Sequence, residues 1–75
     1  MDLKSDHFRT VRCKLCLVDF VEVFGLCKER KNEAKIVIDD IEYADLYDAY
    51  IFNVIITASP EIIDMIGDMV YLHEA

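Results

Sequence analysis

The feature that most constrains the fold is an apolar run of ten residues, Ala49–Ala58, that ends abruptly at Ser59-Pro60-Glu61. Ten residues are too few to cross a hydrocarbon core of about 30 Å as a helix. Over residues 49–57 the side chains are mostly β-branched or aromatic, which predicts a strand. The nearly continuous apolar character predicts that both faces of this strand are covered, as in a central strand or one at a dimer interface.

A helix is predicted to start at Ser59-Pro60-Glu61 and to run over residues 60–72. Serine at the N-cap accepts a hydrogen bond from a free backbone N–H, proline fits the first helical position, and an acid suits the positive end of the helix dipole. Helical spacing is shared by five apolar residues, Ile62, Ile63, Ile66, Met69 and Val70. A separate outward stripe carries three acids, Glu61, Asp64 and Asp68.

A second strand is predicted at Lys35-Ile36-Val37-Ile38, after a polar turn at residues 28–33. Residues 39–48, which join the two strands, allow two interpretations. Their apolar and aromatic side chains can be placed on a helical period, and a loop with one helical turn fits equally well.

The N-terminal third begins with alternating apolar and polar residues over positions 9–17, a pattern typical of a half-buried strand. Its apolar positions are Val11, Cys13, Leu15 and Leu17. The alternation changes phase at Val18, which predicts a bulge or bend because strand side chains repeat every two residues. The alternative is a helix over residues 15–28, which three valines and two phenylalanines disfavour. Gly25 is the expected end of this element.

Together these patterns predict one small α+β domain over residues 1–75. Its antiparallel sheet has three or four strands, and the C-terminal α-helix packs on one face. A chain of 8.7 kDa buries only about 60–65% of its unfolded surface, so it is marginally stable alone. A homodimer is therefore expected.

The cysteines predict a compartment. Residues 1–6 contain no apolar segment of a secretory signal, and the three cysteines are an odd number. Free thiols in a reducing cytoplasm are therefore expected, rather than a disulfide scaffold. Cys13 and Cys16 have the spacing of half a zinc site, but on a strand they would face opposite sides. Packing of Cys13, Cys16 and Cys27 in the core is predicted instead, with no metal or cofactor.

Charge is segregated along the chain. Residues 1–32 carry seven Lys and Arg against five acids, whereas residues 33–75 carry one cation, Lys35, against ten acids. The densest segment, residues 39–48, has five acids in ten positions. A solvated surface that keeps the protein in solution is one explanation. A long field of one sign costs stability, however, which favours a role in binding a basic partner.

The candidate partner-binding residues combine these acids with neighbouring tyrosines. Tyrosine is amphipathic and common at binding interfaces, and acids steer a basic partner towards them. In residues 39–48 the candidates are Asp39, Asp40, Glu42, Tyr43, Asp45, Tyr47 and Asp48. On the C-terminal helix they are Glu61, Asp64 and Asp68. The alternative for the tyrosines is that their rings cover the edge of the core.

No catalytic residues are predicted. Neither histidine has a nucleophile or acid at a telling spacing, and two glycines cannot build a phosphate-binding loop. The acids lack EF-hand spacing. The chain is therefore not expected to be an enzyme.

These observations predict a small acidic interaction protein that binds and inhibits a basic nucleic-acid-binding partner. Its carboxylates would stand in for phosphates, as in the phage-encoded inhibitors that imitate DNA. Candidate partners are nucleoid proteins, nucleases, polymerase subunits and defence complexes in the cytoplasm, the host's if the source is viral. The alternative is an antitoxin, immunity protein or accessory subunit that binds one dedicated partner without DNA mimicry. A net charge of −7 argues against direct binding of nucleic acid or of an anionic membrane.

Overall fold

The fold is α+β, as the sequence predicts. The computed structural model describes residues 7–74, so residues 1–6, on which the expectation about a secretory signal depends, lie outside the described residues. In chain order the elements are β1 (Arg9–Leu15), α1 (Leu17–Glu29), β2 (Ala34–Ala44), β3 (Ala49–Ala58), α2 (Pro60–Met69) and β4 (His73–Glu74). The strands form one antiparallel sheet in the order β2-β3-β1-β4. No helix in residues 7–74 is long and apolar enough to cross a membrane.

The core lies between one face of the sheet and the two helices. Alternate residues of β1 and β3 meet across the sheet, as Val11 with Ile56 and Cys13 with Val54, and their side chains point to this face. The buried set is Val11, Cys13, Leu15, Val23, Cys27, Ala34, Val54, Ile56, Ala58, Ile62, Ile63 and Ile66. Burial of a side chain such as leucine or isoleucine stabilises by about 1.5–3 kcal/mol, so this one cluster holds the layers together.

The strand predicted at residues 49–57 is confirmed as β3, and it is central, with β2 on one side and β1 on the other. Within residues 7–74 helices cover only one of its faces, and coverage of the other face by a second copy stays a prediction. On that other face Ile51, Asn53, Ile55 and Thr57 alternate with the core residues and are partly buried. Both helices of the described residues pack on the opposite face.

The N-terminal third departs from the predicted bulged strand. The strand ends at Leu15, and residues 17–29 form the helix that valine and phenylalanine content disfavours; Gly25 lies inside this helix. Phe20, Val23 and Cys27 repeat at helical spacing and pack towards the sheet. Burial of each of these side chains stabilises the fold by more than a valine destabilises a helix, which is less than about 0.7 kcal/mol. Tertiary packing therefore overrides local propensity.

The C-terminal helix, α2, begins where the sequence predicts. The Ser59 hydroxyl accepts a hydrogen bond from the Ile62 N–H at 3.4 Å, with Pro60 in the first turn. The helix ends at Met69 rather than near residue 72, because Val70 already has extended backbone (φ −144°, ψ 166°). The short strand β4 then pairs with β1, which explains the early end.

Residues 39–48 are neither a helix nor a loop with a helical turn. The strand β2 continues through them to Ala44, and residues 45–48 form the turn of a hairpin with β3. The pairing shifts between Ile38 and Asp40, which marks a β-bulge. This extra residue breaks the alternation of apolar positions in the sequence, so the strand pattern is hidden there.

Candidate partner-binding site

The β2–β3 hairpin continues beyond the rest of the sheet. Leu15, the last residue of β1, pairs with Phe52, and Phe52 pairs with Ile41. Three further residue pairs and the turn have no third strand beside them, and we call this segment, residues 42–51, the hairpin arm. The arm adds to the long axis of a molecule that measures 42 × 22 × 21 Å.

Aromatic contacts join the body of the molecule to the arm. The Phe20 ring of α1 stacks on Phe52 with centroids 4.6 Å apart. Two residues further along each strand, Tyr43 and Tyr50 pair across the hairpin in an edge-to-face contact at 5.2 Å. Because side chains alternate along a strand, this tyrosine pair lies on the same face as the helices. Both rings remain about half exposed.

The tip of the arm presents two large side chains to solvent. Leu46 is 85% exposed and Tyr47 is 73% exposed. The turn beneath them is ordered by hydrogen bonds from the N–H groups of Tyr47 and Asp48 to the carbonyl oxygens of Ala44 and Asp45, at 3.1 and 3.2 Å. Asp48 adopts a left-handed backbone (φ 51°), and its carboxylate accepts a hydrogen bond from the Tyr43 hydroxyl. The tip is thus a defined turn with apolar surface that nothing in residues 7–74 covers.

The candidate acids of this hairpin fall into two groups. Two are paired with cations of β1: Arg12 contacts Asp39 at 3.4 Å, and Lys14 contacts Glu42 at 3.7 Å. Glu42 also accepts a hydrogen bond from the Asn53 side-chain amide at 2.7 Å. Within the described residues, Asp40 and Asp45 make no ion pair, and Asp48 is held only by the Tyr43 hydroxyl.

The fold therefore mixes charges that the sequence separates. The strand β1 belongs to the cationic third of the chain, yet it lies one strand away from acidic β2. All these ion pairs are exposed, and each contributes roughly 0–1 kcal/mol to stability. Their greater effect is to weaken the negative field on the sheet face. The acids of residues 39–48 that keep no ion pair within residues 7–74 are Asp40, just before the arm, and Asp45 and Asp48 in its turn.

The three candidate acids of α2 lie far from the arm. Glu61, Asp64 and Asp68 are all exposed, as the outward stripe predicts. The helix follows Ala58, at the end of β3 opposite Ala49, and nine residue steps at about 3.3 Å put roughly 30 Å between these ends. Glu61 also contacts Arg30 at 3.7 Å. The structure brings the hairpin candidates together and leaves the helix candidates as a separate surface.

The three cysteines have two different environments. Cys13 and Cys27 are buried, as predicted, whereas the prediction for Cys16 is wrong: it is exposed at the N-cap of α1. Burial raises the pKa of the Cys13 thiol from 9.0 to about 11, and the nearby Cys27 adds to the rise. Burial likewise raises the pKa of Cys27. In residues 7–74 no group of three or more His, Cys, Asp or Glu side chains is placed to hold a metal ion.

Sequence reasoning missed Leu46 and Ile41 as candidates. Ile41 is 51% exposed at the base of the arm and Leu46 is the most exposed large apolar residue in residues 7–74. An isolated leucine between acids carries no signal of exposure, because apolar residues are usually assigned to the core. Recognition of the hairpin would have placed Leu46 in the turn.

Comparison of the chain with protein-family models, with curated proteins and with solved structures finds no match.

Proposed function

We propose that this protein binds a basic protein partner through the hairpin arm, as an antitoxin, immunity protein or accessory subunit does. The observation that carries the proposal is the ordered tip, where Leu46 and Tyr47 stand exposed beside Asp45. Exposed apolar and aromatic anchors supply most of the binding energy of ordinary protein interfaces. Nearby acids add steering of a basic partner and selectivity.

DNA mimicry is the competing proposal, and the geometry supports it less well. A mimic needs a dense row of free carboxylates, because each strand of a duplex presents one phosphate per about 3.4 Å of helix axis. Asp39 and Glu42 are instead partly neutralised by Arg12 and Lys14. The acids of α2 follow the far end of β3, roughly 30 Å from the turn of the arm. A basic DNA-binding protein remains a candidate partner, bound at its surface by the arm.

The cytoplasm is the proposed location. All three cysteines lie in the described residues and are free thiols, and one of them, Cys16, is exposed. Free thiols persist in reducing compartments, whereas disulfides are usual outside the cell.

The experiment that tests the proposal is a comparison of matched baits in a bacterial lysate. The bait with Leu46→Ala and Tyr47→Ala should lose the captured partner. Tyr71→Ala is the matched control, because Tyr71 is 79% exposed but lies beyond α2. Retention of the partner by the double variant, or equal loss with Tyr71→Ala, contradicts binding through the arm.

High salt and competing duplex DNA separate the dedicated-partner proposal from DNA mimicry. Two further baits locate the charges that contribute to binding: Asp40→Asn with Asp45→Asn removes two charges near the arm, and Asp64→Asn with Asp68→Asn removes two charges on α2. Mimicry requires steep loss of binding at about 0.5 M NaCl, where the Debye length is about 4 Å, and displacement of the partner by duplex DNA. If a dedicated partner is anchored on Leu46 and Tyr47, high salt and duplex DNA should reduce its binding less than the loss of these two side chains does.

A further inference from the structure

One edge of the sheet is open. The strand β2 is an outermost strand of 11 residues, and no other strand of the described residues pairs with its free edge. Every second residue of an edge strand turns an unpaired N–H and C=O outward, which makes the edge a template for another strand. Val37 and Ile38, in the middle of this edge, are 46% and 45% exposed. The apolar part of this edge is residues 36–38, before the bulge and the acids that follow it, and an exposed apolar edge segment is a site for pairing with another strand.

A second apolar surface lies on α1. Leu17, Val21 and Phe24 are spaced at i, i+4 and i+7, so they form one stripe on the helix. All three are exposed, Leu17 and Val21 at 59% and Phe24 at 40%. Lys28 continues the stripe and places its ammonium over the Phe24 ring at 5.7 Å.

The stripe faces the β2 side of the molecule. At the C-cap of α1, half-buried Arg30 contacts Glu61 of α2. From there α2 reaches the other edge of the sheet, where Ile63 lines a groove with Val11 of β1 and His73 of β4. The helix α1 packs against β2, so the flank of α1 that is turned away from α2 lies towards the free edge of the sheet, on the face to which Ile38 also points.

The free edge of β2 is self-complementary. When two copies pair antiparallel with Val37 opposite Val37 of the partner subunit, Ile36 faces the partner's Ile38. In this register Lys35 comes beside the partner's Asp39, which lies in the bulge and also contacts Arg12 of its own chain, so the single cation in residues 33–75 meets an acid on both sides of the two-fold axis. Opposite charges directly across an antiparallel pair stabilise it, and like charges there destabilise it.

We propose that two copies of this chain form a dimer through the β2 edge and the α1 stripe. Antiparallel pairing of β2 makes one sheet of eight strands and keeps all helices on one face. The two α1 helices become neighbours, and Leu17, Val21 and Phe24 of each cover those of the other. An isologous interface of this kind is the commonest arrangement of protein dimers.

The dimer is independent of the proposed arm function. The paired segment, residues 34–40, ends before the arm begins at residue 42. The antiparallel arrangement points the two arms in opposite directions, so both tips stay free. Variants of Leu46 and Tyr47 should leave the dimer unchanged, and variants of the dimer interface should leave the tip intact.

Sedimentation equilibrium of the full chain under reducing conditions tests the proposal. The expected mass is twice the 8.7 kDa of one chain. Val21→Asp buries two unpaired carboxylates in the interface and should weaken the dimer by about tenfold or more. Val18→Asp is the matched control: Val18 is on the same helix and 68% exposed, but off the stripe, so the dimer should persist. Circular dichroism verifies that both variants fold.

A charge exchange tests the register. Lys35→Glu should weaken the dimer, because the new carboxylate faces Asp39 of the partner subunit. Adding Asp39→Lys should restore the dimer, whereas Lys14→Glu, the same change on β1 away from the free edge, should leave the dimer in place. A monomer at every protein concentration overturns the proposal. A dimer that ignores both Val21→Asp and Lys35→Glu overturns the assigned interface.

Discussion

At the scale of single residues, the local surroundings decide which of three identical thiols can react. The thiolate is the reactive form of cysteine, and burial disfavours it. Cys13 and Cys27 lie in the core, whereas Cys16 stands exposed where β1 ends and α1 begins. Position in the fold therefore separates one accessible thiol from two protected ones.

In the folded protein, a thiol reagent should modify one cysteine rapidly at neutral pH and the other two only on unfolding. The rapid phase belongs to Cys16, so Cys16→Ser should fold normally and lose that phase. Spectroscopic titration with and without denaturant measures both. Rapid reaction of any thiol in folded Cys16→Ser would contradict the assigned burial of Cys13 and Cys27.

The raised pKa of Cys13 makes stability depend on alkaline pH. From pH 9 to about 11 the unfolded thiol loses its proton while the folded thiol keeps it. The unfolded state then binds fewer protons, so the free energy of unfolding falls as pH rises through this window. Urea titrations between pH 8 and pH 11 should show a shallower fall for Cys13→Ala, in which one such thiol is removed. Equal slopes for the two proteins would argue against a buried, protonated Cys13.

At the scale of elements, α1 forms against its own composition. Its valines, phenylalanines and Gly25 all favour other structures, and Phe20, Val23 and Cys27 stabilise the helix by packing on the sheet. Substitutions at exposed positions of α1 can therefore increase the stability of the protein.

Replacement of Gly25 by alanine should stabilise the protein. A Cβ built at Gly25 has no neighbouring atom within 4 Å, so the change adds no strain. Alanine is favoured over glycine inside a helix by about 0.5–1 kcal/mol, and the midpoint of urea unfolding should rise accordingly. The slope of the transition should stay constant. An unchanged or lower midpoint would mean that α1 is not helical at this position.

At the scale of the whole molecule, the body and the hairpin arm are separable. The core cluster ends near Phe52, and no residue of the arm belongs to it. The stability of the fold therefore comes from the body, whereas the arm contributes exposed surface for binding.

A protein with residues 43–50 replaced by Asn-Gly should keep its fold. Asn-Gly suits a two-residue hairpin turn, which would join Glu42 and Ile51, already paired across β2 and β3. Circular dichroism and urea unfolding should report a cooperative transition close to that of the intact chain. The shortened protein should fail to capture the partner and should still dimerise. Loss of cooperative unfolding would show that the arm belongs to the core.

The local sequence was sufficient to predict two elements. The β3 strand and the start of α2 need only residues 49–61: a run of β-branched and aromatic side chains, then a capping serine and a proline. Their determinants are neighbours in the chain, so they can be read without the fold. The overall acidity and the helical stripe of Glu61, Asp64 and Asp68 are likewise properties of sequence alone.

The tertiary structure decided the rest, because the determining contacts join residues that are distant in the chain. Pairing with β3 turns residues 39–44 into strand despite the bulge, and packing on the sheet makes a helix of residues 17–29. The same distant pairing carries Arg12 and Lys14 to Asp39 and Glu42. Charges separated along the chain thus become partners in space, which leaves Asp40, Asp45 and Asp48 as the acids of residues 39–48 without an ion pair in the described part of the chain.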